Sequence, residues 1–142
     1  NFLTIMIYLT RRECFNAAHK LCNPNWSDEE NKRVFGKCAN ENWHGHNYEL
    51  FVTVKGTPDP NTGFIINAVD LKNIIQTHIV EKVDHKNLNL DVPFLKDKFP
   101  STENFAKAIW EELQPHLTAT NYQLHAIKLR ETENIYVEYF GE

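Results

Sequence analysis

Between residues 43 and 55 apolar and polar positions alternate. His44, His46, Tyr48, Leu50, Val52 and Val54 share one side of an extended chain, with Gly45, Asn47, Glu49, Thr53 and Lys55 mostly opposite, which predicts a half-buried strand. An earlier strand over 5–21 carries Phe15, Ala17, His19 and Leu21 in a single row, because side chains alternate across an extended backbone. The segment 23–42 reads as a polar loop, and the turn KGTPDPNTG at 55–63 predicts a hairpin from the second strand into FII. A helix is expected over 68–83, capped by Asn67, with Asp70 in its first turn and Leu71, Ile74, Ile75, His78 and Ile79 as its stripe. A second helix starts near Ser101 or Thr102, turns Phe105, Ile109 and Leu113 inward, and closes at Pro115. The strand YQLHAIKLRE, 122–131, then puts Ile127, Leu129 and Glu131 on one side, and NIYVEYF returns antiparallel to it. The order ββααββ predicts an α+β fold: a four-stranded antiparallel sheet with two helices on one face.

Composition narrows the functional classes. A chain of 142 residues, 42% apolar and 24% charged, has the size of one domain, and it shows no internal repeat or linker. The domain is expected to span 1–142, with the residues before about Met6 read as an added, disordered segment or a processed leader. A net charge of −4 without a clustered basic face argues against a nucleic-acid partner held through phosphates. No run reaches the roughly 20 apolar residues of a membrane span, so a soluble, cytoplasmic protein is expected. Cys14, Cys22 and Cys38 are too few and odd in number for a disulfide framework, which fits a reducing compartment.

The chemistry concentrates on the two histidine-bearing rows. Residues two apart on a strand point the same way, so His44 and His46 can converge on one ion, and His19 joins them if the two strands are antiparallel neighbours. A nitrogen-rich set suits zinc, and three protein ligands leave a coordination position for a substrate. Cys38 has two readings: a fourth ligand closing a structural site, or a thiol acting as a base beside the ion. Cys14 and Cys22 are expected to be small packing residues. Asp84-His85 is by itself a weak signal for an acid-base pair, and His78, His116 and His125 are assigned to structure, none having a partner histidine at ligand spacing. Glu131 falls on the buried face, where a lone carboxylate is costly. It is therefore either an internal ion-pair partner or a carboxylate awaiting two adjacent N–H donors of a heterocycle. Glu103 can be read as a favourable charge in a helix first turn.

FNAAH at 15–19, FGKCANENWHGHNY at 35–48, DPNTGFIIN at 59–67, VDHKNLNLDVPF at 83–94, STEN at 101–104 and RETENI at 130–135 together resemble the 6-pyruvoyl-tetrahydropterin synthase family over nearly the whole chain. The resemblance implies a tunnelling fold, in which sheets of three subunits close into a β-barrel and two rings stack as a homohexamer. It implies zinc on His19, His44 and His46, Cys38 as general base, Asp84 and His85 as its proton-transfer partners, and Glu131 as the pterin anchor. Thr102 and Glu103 are expected to bind substrate from a neighbouring subunit. The implied substrate is 7,8-dihydroneopterin triphosphate, with elimination of triphosphate. A related 6-carboxy-tetrahydropterin synthase of the queuosine pathway shares the histidines and the DH pair but has a shorter CxxxHGH spacing; here five residues separate Cys38 from His44. That enzyme, making a carboxy product and acetaldehyde, is the alternative reading, and a non-catalytic pterin-binding module with a structural zinc is a further one. Trp43 departs from the pattern, which usually has a small residue before HGH.

Overall fold

A computed structural model describes residues 5–142; the expected leader falls largely on 1–4, outside the described residues. One sheet contains β1 (Ile7–His19), β2 (His44–Gly56), β3 (Lys86–Asn87), β4 (Tyr122–Thr132) and β5 (Ile135–Tyr139), in the order β3-β1-β2-β4-β5. All neighbours are antiparallel except β3, which runs parallel to β1. The helices are α1 (Asp28–Phe35), α2 (Ala68–Ile75) continuing through a π turn at Gln76–Val80 into α3 (Glu81–Val83), and α4 (Thr102–Leu113). The α+β class holds, with five strands instead of four.

The predicted alternation is realised in β2. Tyr48, Leu50, Val52 and Val54 are fully buried, while residues of the other row are exposed or half-buried. Leu71, Ile75 and Ile79 of the α2 segment and Phe105, Ile109 and Leu113 of α4 belong to the same apolar cluster, so the helices cover one face of the sheet. Asn67 caps α2 by accepting from Val69 N–H at 2.9 Å, and Ser101 caps α4 by accepting from Asn104 N–H at 3.2 Å.

Three expectations need correction. The hairpin from β2 into Phe64–Ile66 does not form, because both edges of β2 are already taken by β1 and β4. Ile65 and Ile66 are nonetheless buried, and Asn121 ties the loop down by donating to the carbonyls of Thr57 (3.2 Å) and Ile65 (3.1 Å). The polar loop contains α1, which apolar periodicity could not reveal because it is built from its cap. Ser27 Oγ accepts from Glu30 N–H at 3.1 Å, Asp28, Glu29 and Glu30 fill the first turn, and the buried Asn31 side chain donates to the Asn23 and Ser27 carbonyls. Thirdly, His78 leaves the predicted stripe because the π turn rotates it; it stacks on His116 with ring centroids 3.7 Å apart.

β4 carries two irregularities. Val54 pairs with Leu124 and Thr53 with Ala126, leaving His125 as an extra residue that rests against Tyr8. The bulge brings Leu124 into the core in place of the histidine. Near the other end the β4–β5 register shifts between Arg130 and Thr132, around Glu131. No described helix is long and apolar enough to cross a membrane. Ile109, fully buried at the centre of α4, tests this packing: Ile109→Ala is expected to cost about 2–5 kcal/mol in a two-state denaturant titration.

Candidate functional site

The β1–β2 ladder ends on the pair His19↔His44, with His46 opposite Ala17. Alternation sends all three imidazoles to the same side, with ring centroids 4.5 Å (His19–His44), 5.1 Å (His19–His46) and 4.9 Å (His44–His46) apart. Glu131 enters the group from β4. One ligand atom from each of His19, His44, His46 and Glu131 lies within 4.8 Å of every other, the only such group among the described residues.

His19 is oriented from behind. Its Nδ1 lies 2.8 Å from the Pro100 carbonyl, and since a carbonyl only accepts, Nδ1 donates and Nε2 carries the lone pair in the neutral ring. That is the outer-shell arrangement expected of a metal-binding imidazole. The Nε2 atoms of His19 and His46 are buried without a well-aligned hydrogen bond among the described residues, although Glu131 Oε1 lies 3.6 Å and 2.8 Å from them. The contact is close, but its angle is poor for N–H donation. Buried, unpaired nitrogens facing a carboxylate are the donor set a cation would satisfy.

Electrostatics favour the neutral form of His44 and His46. Burial pushes the pKa of His44 and His46 down, with their histidine neighbours adding to the effect. The His19 side chain first, then Thr102 and the neighbouring His46 ring, hold the Glu131 carboxyl down at about 2, against the opposing effect of burial. Thr102, buried at the start of α4, donates its hydroxyl to Glu131 Oε2 at 2.7 Å. Thr102 therefore reaches the Glu131 of its own chain. Beneath the cluster, Phe15 stacks on Tyr48 at 5.2 Å and Phe105 meets Tyr48 edge-on at 5.5 Å, giving an apolar floor. The Tyr48 hydroxyl is buried and unpartnered among the described residues, and its pKa is driven upward by burial.

The other predicted residues do not join this group. Cys38 sits half-buried on a one-turn helix, Gly36–Ala39. Burial and the Glu131 charge raise its thiol pKa, the reverse of the lowering expected beside a metal; a cation in the cluster would oppose both effects. Asp84 and His85 do form a pair, Oδ1 to Nδ1 at 3.0 Å. His85 takes a left-handed backbone (φ 61°) that brings the adjacent side chains together. Asn16 N–H donates to Asp84 Oδ1 at 2.9 Å, which with His85 lowers the Asp84 pKa. Glu103 is exposed in the first turn of α4. Cys14 is exposed on the outer row of β1 and is not the packing residue expected, while Cys22 is half-buried. Trp43, immediately before His44, also has a left-handed backbone (φ 64°), a conformation that a small residue, glycine above all, adopts at less cost.

A sequence profile described as 6-pyruvoyl tetrahydropterin synthase matches residues 8–142. The chain belongs to that family. It is 47% identical over 134 residues to the 6-pyruvoyl tetrahydrobiopterin synthase of Pongo abelii, covering 94% of this chain and 91% of that protein. The human protein of the same name is 46% identical over an equal span. The solved structure of Caenorhabditis elegans 6-pyruvoyl tetrahydropterin synthase superposes with a TM-score of 0.91 at 34% identity, with both chains fully covered. Of the motifs scattered from 15 to 135, those carrying His19, His44, His46, Thr102 and Glu131 meet at the His19↔His44 end of the β1–β2 ladder.

Two predictions follow the geometry. His46→Ala removes one of the two unpaired buried nitrogens, and equilibrium dialysis against zinc should show a loss of stoichiometric binding relative to the unsubstituted chain. Asp84 has a depressed folded pKa, so its contribution is present above its unfolded pKa of about 3.9 and disappears as pH falls through the lower folded value. Melting temperatures recorded from about pH 5 to 2 should accordingly fall less in Asp84→Asn than in the unsubstituted protein.

Proposed function

We propose that the chain converts 7,8-dihydroneopterin triphosphate to 6-pyruvoyl-tetrahydropterin, eliminating triphosphate, with one zinc ion held by His19, His44 and His46. The observation that carries this reading is the convergence of three imidazoles on Glu131 with two buried nitrogens unpaired, in a member of this enzyme family. Zinc bound there would polarise the hydroxyls of the substrate side chain and make the adjacent C–H bonds more acidic.

The protein's own residues supply the rest. The Pro100 carbonyl keeps the His19 Nε2 lone pair directed at the cluster. Glu131, ionised at working pH, receives the adjacent N–H donors of the pterin ring, while Thr102 holds its second oxygen. The Phe15, Tyr48 and Phe105 floor keeps water from beneath the reacting groups. Cys38 accepts a proton from the substrate side chain, and the Asp84–His85 pair handles the next proton, with Asp84 fixing the imidazole through Nδ1. Glu103 completes the substrate contacts at the rim.

The proposed working form is a homohexamer of two stacked trimeric rings. β3 covers β1 only at Ala17 and Ala18, and β5 is the last strand at the opposite edge of the sheet. Exposed Ile7, Tyr8, Ile135, Tyr136 and Phe140 lie along or beside those edges, as suits strand pairing between subunits. A cytoplasmic location accords with three unpaired cysteines.

The test is incubation of zinc-loaded protein with dihydroneopterin triphosphate, followed by product identification. A pyruvoyl product is expected, whereas a carboxy product with acetaldehyde would assign the chain to the alternative chemistry, and binding without turnover would make it a pterin-binding module. In Cys38→Ala, triphosphate release should fall by about 10²–10⁴ with zinc retained, the range for loss of a general base. Zinc loss in that variant would mark Cys38 as a ligand.

A further inference from the structure

The segment from Asp84 to Asn89 runs along the free side of β1 and ties down each residue leading to His19. Asn16 is held through both backbone groups: its N–H donates to Asp84, and its carbonyl accepts from His85 N–H at 2.6 Å. Ala17 and Ala18 pair with Lys86 and Asn87, and Leu88 N–H donates to the Ala18 carbonyl at 2.8 Å. At Lys20, one residue beyond His19, a side chain takes over from the backbone. Lys20 N–H donates to Asn89 Oδ1 at 3.0 Å, and Asn89 Nδ2 donates to the Lys20 carbonyl at 2.9 Å. A primary amide presents an acceptor and a donor in one plane, as a peptide group does, so Asn89 extends the parallel ladder by one step. Its own backbone is fixed by Asn87, whose Oδ1 accepts from Asn89 N–H at 2.9 Å and from Leu90 N–H at 3.2 Å.

Lys20 is the point where three parts of the site meet. His19 precedes it, and the next residue, Leu21, donates its N–H to the Cys38 carbonyl at 2.8 Å. The Lys20 ammonium lies 5.6 Å from the ring centroid of Trp43, next to His44. Immobilising the Lys20 peptide thus sets the Cys38 turn relative to the histidine cluster. Because Asn89 is exposed, its two hydrogen bonds contribute modestly to global stability, which lets positioning be separated from folding.

We propose that Asn89 is a positioning residue: through its two-point hold on Lys20 it fixes the placement of Cys38 against His19. That this placement serves proton abstraction by Cys38 rests on the proposed function; the hold itself does not. The test compares Asn89→Ala, which loses both contacts, and Asn89→Asp, which keeps the acceptor and loses the donor, with Asn121→Ala as a control. Asn121 holds the Thr57 and Ile65 carbonyls in the loop that follows β2, at the other end of that strand from His44.

Asn89→Ala is expected to lower kcat by roughly 10–100-fold, with KM within about threefold, as supporting-shell losses do. In zinc-free protein, iodoacetamide should label Cys38 about fivefold faster relative to Cys14, because a loosened turn exposes the thiol. Asn89→Asp should lie between, and Asn121→Ala should lower the melting temperature while leaving kcat and the labelling ratio unchanged. Melting temperatures that fall alike in Asn89→Ala and Asn121→Ala, with kcat and the labelling ratio in Asn89→Ala both within about twofold of the unsubstituted protein, would overturn the proposal. If the unsubstituted protein turns over no substrate, the functional reading fails, and the labelling ratio alone decides the hold.

Discussion

The antiparallel register of β1 on β2 is the constraint from which the site follows. The same alternation that buries Tyr48, Leu50, Val52 and Val54 aims His44 and His46 at His19. A slip of one residue would turn every one of these side chains to the other face. Burying each large apolar side chain contributes about 1.5–3 kcal/mol, so the core holds the histidines in phase far more strongly than the imidazoles could hold themselves. The convergence of the candidate metal ligands is in this sense secured by hydrocarbon.

That coupling explains what the sequence made legible. Period-two patterning needs no knowledge of the third dimension, so β1, β2, β4 and β5, the inward histidines and the inward Glu131 could all be read directly. The caps Asn67 and Ser101 were equally visible, being local side-chain-to-backbone chemistry. The misses have physical reasons. α1 rests on Ser27 and Asn31 instead of an apolar stripe, and β3 is two residues long and paired in parallel with a strand nearly seventy positions away. The hairpin expected after β2 failed because a turn signal cannot report that both edges of a strand are taken.

Within the site, residue types were easier to read than relationships. Nothing in the letters DH announces a left-handed His85 that lets neighbouring side chains pair. Glu131 looked like a carboxylate awaiting a heterocycle, yet its oxygen stands 2.8 Å from His46, and its second oxygen is held by a threonine from α4. A carboxylate with one oxygen held by Thr102 and the other facing the histidines reaches a ligand pre-aligned. Cys38 has its pKa raised by the surroundings described here, so its reactivity depends on whatever positive charge the cluster acquires.

The acceptor behind His19 is the main-chain oxygen of Pro100, not a side chain. The proton arrangement of that imidazole is therefore encoded by the path of the chain between Phe99 and the start of α4, and not by the identity of any single residue there. Substitutions can accumulate at position 100 without erasing the contact, provided the turn keeps its course. A search for an aspartate or glutamate at the Nδ1 of this histidine, made on letters alone, would look in the wrong place.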